Sequence, residues 1–182
     1  MRFDMPALGL APYLSLAAIV LLAAALPGLV VRRKTLAANL RGALVVAALV
    51  LPVVLVLGLS MRHNTLELRD GQVVVRAGYF YEYARDIAEF DLARARQGSQ
   101  AVLVPEGFGV RDNGIRLPGY AAGRFGAGGD SLFVAVTDSE RLVYLPARHG
   151  QSLLVSVEQG NALLQALYRR GAAFGPRLGS QD

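Results

Sequence analysis

The residues of this chain best suited to chemistry lie in one glycine-rich stretch, Asn113-Gly-Ile-Arg-Leu-Pro-Gly-Tyr-Ala-Ala-Gly-Arg-Phe-Gly126. Arg116 and Arg124 flank it as two guanidinium groups, and such groups hold anions by charge-assisted hydrogen bonds. Gly119 and Gly123 read as glycine-rich turns around a strand, with positive φ and close backbone approach, while Tyr120 and Phe125 supply packing, and the same loop is the natural docking surface for a partner. The expected site is therefore Arg116, Gly119, Tyr120, Gly123, Arg124 and Phe125, a surface for a ligand or partner with no catalytic group in it. Gly128 and Gly129 extend the run, but no Gly-Lys-Ser/Thr is present, so it is not a phosphate loop.

Other routes to chemistry are thin. There is no cysteine, which removes thiol catalysis, disulfides and thiolate metal sites. The two histidines, His63 and His149, are far apart and have no HxxE or HxH spacing, so no metal site is expected and no cofactor is implied. Asp86, Glu89 and Asp91 are the only dense carboxylates, and the alternating charge of Asp86 to Gln97 reads as a solvated face. A serine triad would need Ser152 or Ser156 with His149, only a few residues away in a turn, which is poor geometry for it. The chain is expected not to be an enzyme.

Residues 1–62 read as an anchor. Ala7 to Val31 and Gly42 to Ser60 carry no charged side chain, and each approaches or exceeds the ~20 apolar residues that span a bilayer. They predict a transmembrane helical hairpin with spans at about 7–31 and 42–60. Between them lies the basic turn 32–41 with Arg32, Arg33, Lys34 and Arg41. Of the chain's net charge of +5, residues 1–60 account for +4, with five basic side chains against Asp4. The remainder carries only +1, too little for a nucleic-acid footprint. The positive-inside tendency puts the turn in the cytoplasm and both the N-terminus and the following domain outside. Ala23-Ala24-Ala25 offers small residues for signal-peptide cleavage, but the charged leader is weak, and a retained first span is expected. The lack of an ionisable residue in either span argues against transport.

Residues 63–171 switch to strand patterning. Thr65 to Arg69 alternates, Asp70-Gly71 is a two-residue hairpin signal, and Gln72 to Arg76 follows. Gly78-Tyr-Phe-Tyr-Glu-Tyr83 places Tyr79, Tyr81 and Tyr83 on one strand face. Ala101 to Val104, Ser131 to Thr137, Arg141 to Leu145 and Ser152 to Val155 read as further strands. Ser156 with Gln159 fits a capping box for a last helix whose apolar face is Val157, Leu163, Leu164, Leu167 and Tyr168. Gly171 is placed to end that helix, with a loose tail over 172–182. The fold class is α+β, mainly β, on a membrane hairpin.

Leu117-Pro-Gly-Tyr-Ala-Ala-Gly-Arg-Phe125, the strand ending in Thr137-Asp138, Arg141-Leu-Val-Tyr-Leu-Pro146 and Ser152-Leu-Leu-Val-Ser156 before the helix resemble the bacterial pleckstrin-homology-like domains of membrane-anchored proteins. The resemblance covers about Thr65 to Arg170. It implies a barrel or sandwich of about seven strands capped by a C-terminal helix, in a bacterial inner-membrane protein. It carries over no catalytic residue. Phosphoinositide-binding members of the wider superfamily use a basic first loop, and Asp70-Gly71 is too short and lacks a lysine. The expected function is a membrane-anchored scaffold that binds a protein partner. The alternative is a lipid-headgroup or small-anion site built on Arg116, Arg124 and nearby tyrosines.

Overall fold

A computed structural model describes residues 1–30, 35–127 and 130–174. Arg32, Arg33 and Lys34 of the expected basic turn, Gly128, Gly129 and residues 175–182 of the expected tail lie outside the described residues.

The chain begins as a strand, Arg2–Phe3 (β1), before the long helices Ala11–Val30 (α1) and Leu36–Ser60 (α2). α2 starts six residues earlier than the expected span, so Arg41 is an exposed helical residue and not part of a turn. α1 starts four residues later than expected. Pro12 sits in its first turn, where a missing N–H costs no helical bond. Ala37–Ser60 is long and apolar enough to cross a membrane, whereas the apolar run Ala11–Leu26 is shorter. Gly58 lets the helices approach, with Leu16 and Tyr13 carbons 3.8 and 4.0 Å from where its Cβ would stand.

Asn64–Arg69 (β2), Gln72–Ala77 (β3) and Tyr81–Asp86 (β4) form an antiparallel meander, and β1 pairs with β2 to give the sheet order β1-β2-β3-β4. Asp70 and Gly71 both have positive φ, 50° and 79°, as a tight β2–β3 hairpin requires. The strand β1 was not expected: Arg2 pairs with Glu67 and Phe3 with Leu66, so the first residues belong to the sheet and not to the hairpin anchor.

Single 3₁₀ turns at Ile87–Glu89 and Leu92–Arg94 lead into Arg96–Gly98 (β5) and a one-turn helix, Gln100–Leu103 (α3). The expected strand at Ala101 to Val104 is thus mostly this helix. Val110–Leu117 (β6), Tyr120–Ala127 (β7), Asp130–Val136 (β8), Leu142–Leu145 (β9) and Ser152–Ser156 (β10) complete a six-stranded sheet, order β5-β9-β10-β8-β7-β6. Among the described residues nine strands, β2 to β10, stand in the domain where about seven were expected, and β1 adds a tenth from outside it. β10 runs parallel to β8, with Leu153 opposite Phe133 and Val155 opposite Ala135. Leu132–Val136 and Leu153–Val155 are unbroken apolar runs because both faces of this sheet are covered.

Leu66, Val75 and Tyr83 of the smaller sheet meet Phe133, Leu153 and Val155 of the larger one in the main core. On the other face of the larger sheet, Phe125, Val134 and Leu154 pack with Leu103 and Phe108 in a second core. Gly160–Phe174 (α4) lays Leu163, Ala166 and Leu167 onto the main core. It runs three residues past Gly171, which sits inside the helix. A Cβ there would fall 2.8 Å from Leu92 Cδ1, so the glycine permits close packing and does not end the helix. Arg169 and Arg170 are accordingly not in the last turn, and Arg170 Nη1 donates to the Leu68 carbonyl. Ser156 is not a helix cap. Its buried Oγ accepts from the Thr137 and Asp138 N–H groups and donates to the Asp138 carbonyl, joining β10 to the end of β8.

Candidate functional site

The glycine-rich stretch folds into the β6–β7 hairpin. Its turn has Pro118 followed by Gly119 at φ 76°, the pairing a type II turn favours. The tip is not free. Ala11 Cβ and Pro12 Cδ lie 3.7 and 3.5 Å from where a Gly119 Cβ would stand, so the turn rests on the first residues of α1.

Below the tip, β6 and β7 come together at Gly114 and Gly123, which face each other. Gly123 has φ 119°, and a Cβ on it would strike the Asn113 carbonyl and Gly114 Cα. A Cβ on Gly114 would stand 2.6 Å from the Ala122 carbonyl oxygen and about as close as contact allows to the Phe125 ring. This crossing follows a bulge between Arg111 and Asn113. Gly123 is therefore a fold residue: the space a ligand would use is filled by β6 backbone.

The sequence-expected residues divide between the two faces of the hairpin. Arg116 pairs with Ala121, whose face is the second core, and its guanidinium carbon stands 5.3 Å from the centroid of the Phe108 ring. Arg124 pairs with Asn113 and with Phe133, which faces the main core. Both arginines are exposed, but they project from opposite faces, and one small anion is not held by both. Phe125 is fully buried against Phe108, with ring centroids 5.7 Å apart. Tyr120 is buried in the main core, and burial pushes its phenol above the ordinary value, with Tyr81 and Tyr13 adding to the rise.

Arg116, Gly119 and Tyr120 do share one feature. With Gln100, Phe108 and Ser139 they line an open cleft of about 520 Å³ between α3 and the hairpin. Its single charged side chain is Arg116, stacked on Phe108, so the cleft favours an apolar or anionic group over a cation.

The tyrosine row forms only in part: Tyr81 and Tyr83 share the core-facing side of β4, and Tyr79 lies outside the strand. Tyr83 is buried and donates its hydroxyl to the Gln151 carbonyl at 2.8 Å. Tyr81 packs partly against the core. Tyr79 sits in the β3–β4 turn, 61% exposed beside Phe80 at 57%. Its ring stacks on His63 with centroids 4.4 Å apart, and its hydroxyl lies 2.9 Å from His63 Nε2.

The remaining candidates are engaged elsewhere. Glu89 pairs with Arg85 at 3.0 Å and Asp91 with Arg94 at 4.0 Å, while Asp86 is exposed. Ser152 Oγ accepts the Ala147 N–H and Ser156 Oγ joins β10 to β8, leaving His149 exposed in its turn. Among the described residues no group of three His, Cys, Asp or Glu is placed to hold a metal ion.

One surface was only partly anticipated. β6 is an outermost strand of the six-stranded sheet, paired on one side with β7, and among the described residues no strand pairs with its other side. Five of its eight residues are exposed, Val110 at 77%. Local patterning marks strands without saying which of them lies at a sheet edge. The order of strands in a sheet depends on long-range pairing that local patterns do not encode.

Compared with protein-family models, curated proteins and solved structures, the chain matches none.

Proposed function

We propose that this is a membrane-anchored, non-catalytic binding module, in which α1 and α2 form a hairpin anchor and the β domain receives an extended segment of a protein partner. The carrying observation is the open edge of β6. Its unpaired N–H and C=O groups can accept an added strand, and the exposed side chains along it, Val110 and Arg111 among them, would select the partner. Arg116 and the cleft beside Phe108 lie at the same strand and would take a side chain of that segment. The pleckstrin-homology-like resemblance belongs to this reading, with the two sheets and α4 as the capped sandwich.

The anchor reading is supported by what α1 and α2 present outward. Leu14, Leu21 and Leu49 are 66%, 71% and 70% exposed, with many other leucines and valines around them. In water this would be an apolar surface far beyond that of ordinary soluble domains, whereas hydrocarbon covers it without cost. Tyr79 and Phe80, exposed beside the end of α2, are the residue types that favour the headgroup layer. The charge bias then puts the basic turn in the cytoplasm and the β domain outside, in a bacterial inner membrane.

Full-length protein carrying a photocrosslinking residue at Val110 or Asn113 should form one discrete protein adduct in cells. The same residue at exposed Asp70 is the control. Adducts that are equal at all three positions, or absent at both β6 positions, overturn the strand-addition reading.

A further inference from the structure

Between α1 and α2 runs a groove of about 490 Å³, walled by Leu16, Val20, Leu51, Val54 and Leu55. Tyr13 and Arg62 stand at its domain end. A second cavity of about 430 Å³, formed by the Met5-to-Leu10 segment and Asn64, includes the same Tyr13 and Arg62. The two cavities therefore adjoin at Tyr13 and Arg62, which sets a candidate path from an apolar helix surface to a polar notch under the β domain.

Neither lining contains an acidic residue. Arg62 is exposed and, among the described residues, takes part in no ion pair. The Asn64 amide is committed, donating to the Met61 carbonyl and accepting from the Gly78 N–H. Arg62 is thus the one charged group among the described residues of the two linings. The apolar part spans Tyr13 to Leu21 on one helix and Leu51 to Leu59 on the other. At 1.5 Å per residue that is about 12 Å, close to the ~15 Å half-thickness of a bilayer's hydrocarbon core.

We propose that this path holds one membrane phospholipid, an acyl chain in the α1–α2 groove and the phosphodiester at Arg62. The inference rests on the membrane-anchor reading and relocates headgroup recognition from Arg116 and Arg124 to the junction of helices and domain. A guanidinium offers a phosphate two parallel N–H donors, and the absence of carboxylates leaves that charge unopposed.

The test uses the full-length protein reconstituted in nanodiscs of equal dioleoylphosphatidylglycerol and dioleoylphosphatidylcholine, extracted in detergent and weighed by native mass spectrometry. Wild type should retain a single phospholipid enriched in phosphatidylglycerol. Arg62→Gln should lower that retention at least about tenfold, the loss expected for a charged hydrogen bond, with Arg62→Lys in between. Gly58→Leu, filling the groove beside Tyr13 and Leu16, should lose lipids of both headgroups. Arg62 is exposed, so Arg62→Gln decides the matter even where Gly58→Leu disturbs helix packing. Wild-type retention by Arg62→Gln overturns the proposal. Flotation of wild type with liposomes separates the two failures: protein that floats but retains no lipid overturns the site alone, and protein that does not float overturns the anchor with it.

Discussion

Ser60, the last residue of α2, accepts the backbone N–H of Tyr79 on its Oγ at 2.8 Å. The β3–β4 turn is thereby fastened to the end of the long helix. Gly78 makes the contact possible: its φ is 66°, and a Cβ would come 2.5 Å from that oxygen. Gly78→Ala combines backbone strain with this clash and should cost about 2 kcal/mol. Ser60→Ala, which strands one N–H, should cost about 1 kcal/mol. Thermal unfolding in detergent, followed by circular dichroism, should rank the two in that order.

Gly123 leaves no room for a side chain. Gly123→Ala should lose about 3 kcal/mol or more, since φ 119° and the Asn113–Gly114 backbone both oppose a Cβ. Gly126, where the nearest atom would be 4.0 Å away, is the matched control and should change stability little. Equal melting temperatures for the two variants would contradict the close crossing of β6 and β7.

Ser156 is fully buried and makes three hydrogen bonds through one oxygen. Ser156→Ala should cost about 2 kcal/mol because the buried Thr137 N–H and the half-buried Asp138 N–H both lose their acceptor. Ser152→Ala removes a single bond to the Ala147 N–H and should cost about half that. Hydrogen exchange should show the Thr137 and Asp138 amides opening in the first variant only.

Tyr83 gives the fold an alkaline limit. Burial pushes its phenol up to about 12 against an ordinary 10.0, with Arg85 opposing the rise. The folded pKa is the raised one, so the contribution is fully present below pH 10 and is lost as pH climbs through about 12. Over that window stability should fall with pH, and Tyr83→Phe should flatten the fall. Tyr120, raised by burial in the same sense, should leave a residual slope. An unchanged pH profile for Tyr83→Phe would count against the assignment.

Local chemistry was legible where one short segment decides its own structure. Asp70-Gly71 reads as a tight hairpin and is one, because two positive φ values in succession need those residues. Ser131 to Thr137, Arg141 to Leu145 and Ser152 to Val155 read as strands and fold as β8, β9 and β10. Distant partners decided the rest. Ser156 has the spacing of a capping box, but the N–H groups of Thr137 and Asp138 compete for its oxygen and win. Tyr79, Tyr81 and Tyr83 have strand spacing, but Gly78 turns the chain and puts Tyr79 outside the strand. For the site, the hairpin and its glycines were visible. The division of Arg116 from Arg124 was visible only in part, since it follows from the register across Gly114 and Gly123.

β1 carries a further consequence. The chain enters the smaller sheet at Phe3, leaves it through both long helices, and returns to pair at Leu66. Topologically the helical hairpin is an insertion between two neighbouring strands, not a stalk on which a finished domain is mounted. During synthesis the first strand must wait for its partner until both helices have been made. The two ends of the inserted segment are held near each other by the β1–β2 ladder. A short linker in place of residues 11–60 would therefore leave a water-soluble domain with every strand retained, whereas truncation before β2 would remove an edge and expose the core beneath it.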